Sequence, residues 1–465
     1  MSEGVVIYST LSKQKEPVVP GPDGIVGIYA CGPTVYGRVH IGNARPFVVF
    51  SVLKRFFERR GMRARFVANL TDINDKIYVA AHEEGIPSTE LAEKYAKAYQ
   101  DDTNRLGLGR PDVEPKVTES LPGIISLIQK LISEGLAYAA GGDVYFRVER
   151  FPRYGALSGQ ETDEMGSTDP GEHKESPLDF ALWKGHKPDE DAFWESPWGP
   201  GRPGWHIECS AMAEEALGQE FAIHGGGLDL AFPHHENEIA QSEGANGCPM
   251  AQIWMHNEML ELSGDKMSKS VGNIALLAEV LDEWPAEVLL TYFLRAHYRS
   301  KLPFSDAHLQ EAAEVCERLR NAVRAIDRAQ AAPGDGTNPG LAATLVQSRN
   351  GFYAALDDDF GTPGAFAAMF DLVRGANQAI EGDRPTAGQL QEVRRELGEM
   401  LDVFGLSGLT KSEAAVPKEV MDLLAEREAA RANRDFERAD AARDRIAERG
   451  FELRDTPEGP QVYPR

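Results

Sequence analysis

A short histidine motif lies at the start of a predicted helix. It reads His40-Ile41-Gly42-Asn43 and follows an apolar run over residues 25–30 and a turn containing glycine and proline. Apolar residues continue after it at helical spacing, which predicts a strand, a tight turn and a helix start. The unpaired N–H groups of a helix N-terminus can hold a triphosphate, and Gly42 would let a nucleotide approach the backbone closely. The alternative is that His40 only caps the helix or packs against its neighbours, and this motif alone does not distinguish that role from nucleotide binding.

A second polar segment carries two lysines far downstream. It reads Lys266-Met267-Ser268-Lys269-Ser270, and the Ser-Gly-Asp sequence before it is typical of a loop. Two ammonium groups there could neutralise charge moving onto a leaving pyrophosphate, an effect worth most in a transition state. The alternative is a solvated basic loop. The histidine motif upstream favours the first interpretation.

Four potential metal ligands are spread along the chain. His234 and Glu238 are four residues apart and would share one face of a helix, Cys31 follows the first predicted strand, and Cys209 lies far downstream. Two thiolates, an imidazole and a carboxylate suit Zn²⁺. Spacing does not settle the matter, because His-x-x-x-Glu pairs are commonplace and lone cysteines are often small core residues. The residues that the pattern cannot eliminate as ligands are His206, His224, His235 and Cys248.

Several segments together resemble the cysteinyl-tRNA synthetase family of class I aminoacyl-tRNA synthetases. The histidine and lysine motifs resemble the class signature, and the resemblance runs from about residue 5 to the end. One departure is Asn43, which stands where the signature has a second histidine and which can donate a hydrogen bond but cannot become cationic. The segments that resemble this family in order and approximate spacing are residues 29–36 (YACGPTVY), 69–76 (NLTDINDK), 204–209 (GWHIEC), 224–230 (HGGGLDL) and 233–238 (PHHENE).

The resemblance implies a two-step ligase. L-cysteine would be activated by ATP with Mg²⁺ to cysteinyl-adenylate, and the cysteinyl group would pass to the 3′ end of tRNA(Cys). The implied catalytic residues are His40, Asn43, Lys266 and Lys269. The implied ATP-binding residues are His40, Gly42, Asn43, Gly225, Gly226, Gly227 and Lys269. The implied cysteine-binding residues are Thr71, Trp205 and Asp229, and one Zn²⁺ per chain would be held by Cys31, Cys209, His234 and Glu238.

The implied zinc would explain how the pocket separates cysteine from serine. Shape discriminates poorly between such near-isosteres, by about 10²-fold. Zinc favours and deprotonates a bound thiol, whereas a serine hydroxyl is a far poorer ligand. A separate editing site would then be unnecessary. The predicted insert over residues 117–203 agrees, because it is shorter than the editing domains of larger class I relatives.

Two other functions remain open at this point. A ligase that joins cysteine to an amino sugar would use the same core, but residues 418–465 argue against it, because that family ends without an anticodon module. A non-catalytic, zinc-dependent regulator that binds an amino acid or RNA is the other, and His40 and Lys269 argue against it. Cysteine-dependent pyrophosphate exchange would distinguish them.

Composition limits the class of protein. The chain has 465 residues, which predicts three or four domains. A net charge of −24 argues against nonspecific nucleic-acid binding but not against a tRNA partner, since nine arginines lie within residues 418–465. No apolar stretch approaches the roughly 18 residues of a spanning helix, and no export signal is evident. Four widely spaced cysteines suit a reducing cytosol, and we expect a cytoplasmic monomer without membrane contact.

Alternating strands and helices must position these groups. The pattern predicts an α/β fold, with a doubly wound, parallel, Rossmann-like sheet that carries an insertion, then an α-helical bundle and a small C-terminal module. Strands of the sheet are predicted near residues 25–30, 65–70, 221–224 and 252–256. The predicted domains are residues 1–116 and 204–305 (the two catalytic halves, the second with the lysine motif), 117–203 (inserted connective domain), 306–410 (helical bundle) and 411–465 (anticodon-binding module).

Overall fold

The computed structural model describes residues 4–160, 171, 173–262, 275–332, 337–411, 417–433, 435–456 and 459–464. The chain divides into two compact units, Met1–Leu409 and Thr410–Arg465. Within the described residues, no helix combines the length and apolarity needed to cross a membrane. The finer predicted division into five segments stays a prediction.

The strands are β1 Val6–Ser9, β2 Gln14–Pro17, β3 Ile25–Ala30, β4 Arg63–Ala68, β5 Ala137–Ala140, β6 Asp143–Phe146, β7 Phe180–Gly185, β8 Gly201–Pro203, β9 Phe221–Gly227, β10 Ala251–Asn257, β11 Leu260–Leu262, β12 Leu302–Phe304, β13 Phe451–Thr456 and β14 Gly459–Pro464. The helices are α1 Ile41–Arg59, α2 Asp75–Glu84, α3 Ser88–Asn104, α4 Leu121–Ser133, α5 Trp205–Leu217, α6 Glu236–Asn246, α7 Leu277–Glu283, α8 Ala286–Leu294, α9 Asp306–Arg328, α10 Pro339–Asp357, α11 Thr362–Glu381, α12 Ala387–Val403, α13 Lys418–Ala432 and α14 Phe436–Glu448.

A four-stranded parallel sheet forms the centre of the first unit. Its order is β10-β9-β3-β4, and every neighbouring pair is parallel. The predicted doubly wound α/β fold is therefore confirmed. The chain order reverses between β3 and β9, and ligands of open α/β sheets bind outside the carboxyl ends of the strands at such a point.

Helix α1 follows β3 and packs on the sheet through a continuous apolar face. Phe47, Phe50, Leu53 and Phe56 recur at helical spacing and are all buried. The helix begins after His40, so its first turn lies at the carboxyl edge of the sheet. This placement brings the histidine motif to the switch point.

The insert forms a second sheet, whose core is continuous with one face of the parallel sheet. Its strands form an antiparallel sheet in the order β5-β6-β7-β8, and its helix α4 packs against α5 and α6. Strand β6 ends at Phe146, and two residues later the Val148 N–H donates to the Asp179 carboxylate at 3.1 Å.

Helices α9 to α12 form the predicted helical region, and they pack against one another. The second unit contains α13, α14 and the β13–β14 hairpin, around a small core that includes Leu423 and Ile446. Phe436 in the first turn of α14 is 64% exposed, so it does not belong to that core.

Candidate active site and metal centre

A cavity of about 340 Å³ opens at the carboxyl ends of β3 and β9. It lies at the switch point of the sheet, where a ligand is expected. Segments that are far apart in sequence line it together. The sequence-predicted residues that line it are Cys31, His40, Gly42, Asn43, Thr71, Trp205, Cys209, Gly227, Asp229 and His234.

Four potential metal ligands converge at one end of this cavity. Ligand atoms of Cys31, Cys209, His234 and Glu238 all lie within 4.8 Å of one another. The Cys31 and Cys209 sulfurs are 3.7 Å apart, and Glu238 Oε1 is 3.5 Å from Cys31 Sγ and 3.1 Å from His234 Nε2. The cluster joins the end of β3, helix α5, the turn Ala231–His235 and helix α6.

This donor set fits a zinc ion. Tetrahedral Zn²⁺ with Zn–S bonds of about 2.3 Å holds two sulfurs about 3.8 Å apart, close to the 3.7 Å observed. Burial raises the pKa of Cys209 to about 11 and the pKa of Cys31 well above its usual value. Burial also lowers the pKa of His234 to about 3, so its imidazole is neutral and can be a ligand. A nearby dication would favour the thiolates that this burial disfavours.

A second set of four groups shares two of these residues. It consists of Cys31, Glu238, His224 and His235, whose ligand atoms also lie within 4.8 Å of one another. His224 Nε2 is 2.8 Å from Glu238 Oε2, and His235 Nδ1 is 2.8 Å from His256 Nε2. Cys209 and His234 line the cavity, but His224 and His235 do not. Only the first set would therefore present a metal to a substrate in the cavity.

Trp205 lies beside this cluster. Its ring stacks on His234, with centroids 4.3 Å apart and planes 30° apart, and the residue is 39% exposed. His206, the next residue, is buried, and its Nδ1 is 2.9 Å from His234 Nδ1. Cys248, another candidate metal ligand in the sequence, is half-buried and does not belong to either cluster. Trp205 is a wall of the cavity rather than a core residue.

The histidine motif forms another wall. His40 is the N-cap of α1, and its N–H donates to Asn43 Oδ1 at 3.2 Å, which closes a reciprocal capping arrangement. Burial lowers the pKa of His40, and the nearby Asp229 carboxylate partly opposes this shift. A Cβ on Gly42 would lie 2.9 Å from the His40 ring. The start of α1 thus exposes backbone and polar groups to the cavity.

The glycine triplet at the end of β9 has more than one role. A Cβ on Gly225 would lie 2.1 Å from Phe50 Cζ, so this glycine permits close packing of α1 on the sheet. A Cβ on Gly226 would meet Leu230 at 2.9 Å, whereas one on Gly227 would meet the Asp229 carboxylate at 2.3 Å. Of the three, only Gly227 lines the cavity. Lys266 and Lys269 lie outside the described residues.

Comparisons with known proteins agree with this arrangement. Residues 17–314 match a family model described as tRNA synthetases class I (C) catalytic domain, residues 351–408 a DALR domain, and residues 413–462 a cysteinyl-tRNA ligase anticodon binding domain. Cysteine–tRNA ligases from Trichlorobacter lovleyi and Geobacter metallireducens are 45% and 46% identical to this chain, and each alignment covers 97% of this chain and 98% of the relative.

The chain belongs to the cysteine–tRNA ligase family. Solved structures with a similar fold include a Mycobacterium tuberculosis methionyl-tRNA synthetase in complex with methionyl-adenylate, with a TM-score of 0.59, 14% identity and coverage of 83% of this chain and 90% of that one. A putative arginyl-tRNA synthetase from Campylobacter jejuni has a TM-score of 0.56, 14% identity and coverage of 82% and 92%. These likenesses concern the fold.

Within this family member, buried polar groups that the sequence did not single out support the cavity. Thr71 Oγ1 donates to Glu208 Oε1 at 2.6 Å and accepts from Asn69 Nδ2 at 3.2 Å. Asn69 Oδ1 in turn accepts from the Gly32 N–H at 2.9 Å. Burial raises the pKa of Glu208 well above its usual value. A glutamate in the first turn of a helix normally faces solvent, so no sequence signal indicated its position.

Proposed function

We propose that this chain is an ATP-dependent cysteine–tRNA ligase, which forms cysteinyl-adenylate and passes the cysteinyl group to the 3′ end of tRNA(Cys). The family membership supports this reaction class, since curated relatives with that name align with nearly the whole chain. The predictions of a cytoplasmic location and a monomeric state accompany the proposal.

One observation carries the choice of amino acid. Cys31, Cys209 and His234 line the floor of the cavity, and Glu238 completes a buried set of sulfur, nitrogen and oxygen donors. A zinc ion held there would bind the substrate sulfur as a thiolate and so separate cysteine from serine. The choice then depends on the chemistry of sulfur and not on the small difference in side-chain size.

The other residues of the cavity bind ATP and cysteine and orient them for the reaction. The first turn of α1, with His40, Gly42 and Asn43, places the positive end of the helix dipole and a neutral imidazole beside the phosphates of ATP. Thr71 and Asp229 stand near the place for the carboxylate and amine of cysteine. We assign Lys266 and Lys269 to the phosphates from the resemblance alone.

The position of Thr71 supports its assignment. Its hydroxyl donates to Glu208 and accepts from Asn69, so its orientation is fixed before a substrate enters. A hydroxyl has two acceptor lone pairs, and one remains for a substrate ammonium group. Such preorganised contacts contribute mainly by positioning the reactants.

The final segment favours tRNA over an amino sugar as acceptor. Residues 413–462 resemble an anticodon-binding domain, which a ligase for a sugar would not need. Phe436 is exposed in that unit and could stack on an unpaired base, as aromatic residues do in proteins that recognise single-stranded RNA.

A combined metal and exchange measurement tests the proposal. The purified chain should contain one zinc and should catalyse pyrophosphate exchange into ATP with cysteine but not with serine. Cys209→Ala should lose most of the zinc and the exchange, whereas Cys248→Ala, whose residue lies outside both clusters, should keep them.

Two outcomes would contradict parts of the proposal. If Cys209→Ala retains one zinc per chain, the proposed ligand set is refuted. If His235→Gln loses its zinc, the second cluster is favoured as the metal site. A folded, zinc-loaded chain without exchange would refute the ligase and support a binding protein.

A further inference from the structure

Among the residues that the structure describes, the buried cation Arg45 hydrogen-bonds only to backbone carbonyls. It lies in the second turn of α1 and is 1% exposed. One terminal nitrogen donates to the carbonyls of Glu258 at 2.5 Å and Met259 at 3.2 Å. The other donates to the carbonyls of His297 at 3.2 Å and Ser300 at 2.7 Å. In the described part of the chain its guanidinium forms no ion pair with a carboxylate, and Nε is buried without a hydrogen-bond partner.

These four carbonyls belong to two segments that run side by side. Glu258 and Met259 connect β10 to β11, while the other two carbonyls precede β12. The Glu258 N–H donates to the Tyr298 carbonyl at 2.8 Å, and β11 pairs in parallel with β12. Arg45 therefore ties helix α1 to both segments at once.

One of the two segments is a wall of the active-site cavity. Glu258, Met259 and Leu260 line it, as does Asn257, which pairs with Gly227 across β10 and β9. The first turn of α1 lines the same cavity, one turn before Arg45. The guanidinium thus sets the separation between the two walls.

Stability alone is a poor reason for such an arrangement. Desolvating a cation is costly, and well-packed apolar residues of similar volume often replace buried charges at no loss of stability. Burial lowers the pKa of Arg45 to about 10, in accord with that cost. A planar guanidinium, however, can hold several acceptors in a fixed geometry, which neither an apolar side chain nor lysine reproduces.

We infer that Arg45 is a positioning residue for the ATP step. It holds the wall formed by residues 257–260 at the separation from the start of α1 that bound ATP requires. This inference rests on the proposed function. It predicts that disturbing Arg45 impairs the use of ATP and leaves the cysteine subsite, which lies at the metal ligands, intact.

Arg45→Lys in the full-length, zinc-loaded protein is the first test. Pyrophosphate exchange is measured as a function of ATP and, separately, of cysteine. We expect kcat/KM for ATP to fall on the order of 10²-fold, as when a distant change misplaces reacting groups by about 1 Å. The KM for cysteine and the zinc content should not change. The matched control is Arg55→Lys on the same helix, which replaces a contact with the carbonyl and carboxylate of Asp402 and should keep wild-type kinetics.

Chemical rescue separates positioning from folding. Arg45→Ala, purified and assayed with added guanidinium, should regain kcat/KM for ATP, whereas an equal concentration of ammonium should not restore it. Rescue also decides the matter if the lysine variant does not fold. No rescue would overturn the inference. So would wild-type ATP kinetics in Arg45→Lys, or an equal loss of ATP and cysteine kinetics together with a lower thermal midpoint. Absence of exchange in the unmodified chain would instead refute the proposed function.

Discussion

Gly225→Ala should destabilise the protein through the contact between α1 and the sheet. The added Cβ would lie 2.1 Å from Phe50 Cζ and 2.5 Å from the Met255 carbonyl oxygen. Carbon atoms in contact lie about 3.5–4.0 Å apart, so the new methyl group overlaps both neighbours. Phe50 is fully buried, and the Met255 atom belongs to the backbone of β10. Phe50 cannot move aside without separating α1 from β9, and the Met255 carbonyl cannot do so without separating β10 from β9.

The expected cost is at the upper end for overpacking. Inserted carbon atoms typically cost about 1–3 kcal/mol, and here backbone and a rigid ring oppose the methyl group together. We therefore expect a loss of about 3 kcal/mol in the free energy of unfolding. The Gly225 carbonyl also accepts from the Cys31 N–H at 3.1 Å. A displaced β9 should thus lower zinc content as well.

Gly227→Ala is the matched control in the same triplet. Its φ of −67° is open to any residue. The new Cβ would overlap the end of the Asp229 side chain, at 2.3 Å, and would make an ordinary contact with the Met259 sulfur at 3.6 Å. This variant should unfold like the wild type but should show altered exchange kinetics. Denaturant unfolding and metal analysis of both variants provide the comparison, with linear extrapolation to water.

A coupled substitution would expose an error in this reasoning. Phe50→Leu removes one of the two overlaps with the new methyl group. The double variant should therefore lose less free energy of unfolding than the sum of the losses in Phe50→Leu and Gly225→Ala. Wild-type stability of Gly225→Ala, or strict additivity, would show that α1 does not contact β9 as described. Gly225 would then return to consideration as an adenosine-binding glycine.

Three further predictions concern other parts of the proposed reaction. Lys269→Ala should slow adenylate formation by roughly 10² to 10³ with an unchanged thermal midpoint, and unaltered exchange kinetics would remove Lys269 from the mechanism. Thr71→Val leaves the buried Glu208 carboxyl without its 2.6 Å donor and should cost about 1–3 kcal/mol of stability. Thr71→Ser should restore most of that stability, and equal effects of the two variants would contradict the hydrogen-bond argument. Removal of the unit Thr410–Arg465 should preserve cysteine-dependent exchange and sharply raise the KM for tRNA, while unimpaired tRNA charging would refute the anticodon assignment.

Periodicity predicted the sheet well because its elements are long and locally encoded. The run over residues 25–30 became β3, and the helix expected near His40 is α1, which begins one residue later. The carboxyl ends of parallel strands meet at one edge, so the convergence of Cys31, Gly227 and the start of α1 also follows from the topology. Residue types and spacing made Cys209 and His234 candidate ligands, and the resemblance selected them over the other histidines and Cys248.

The sequence did not predict which ionisable side chains are buried. Arg45 stands on a helix among apolar and polar residues, and Glu208 is an acidic residue in a first helical turn, where glutamate is favourable by itself. Both patterns are typical of exposed side chains. Each group is buried because segments distant in sequence supply its hydrogen-bond partners. The partner of Glu208 is the Thr71 hydroxyl, and the partners of Arg45 are backbone carbonyls within residues 258–300.

These buried groups explain how a cavity assembled from distant segments keeps its shape. Cys31 and Cys209 are 178 residues apart, and Cys31 and Glu238 are 207 apart, so local structure cannot fix the positions of the ligands relative to one another. A metal can join such segments, but metal binding also depends on ligands that the surrounding structure orients. On the cysteine side, Glu208, the residue before Cys209, accepts a hydrogen bond from Thr71 and so fixes the orientation of its hydroxyl. On the ATP side, Arg45 fixes the wall formed by residues 257–260 through the carbonyls of Glu258 and Met259. The two halves of the cavity thus have separate polar supports, so damage to one support should impair the use of one substrate more than the other.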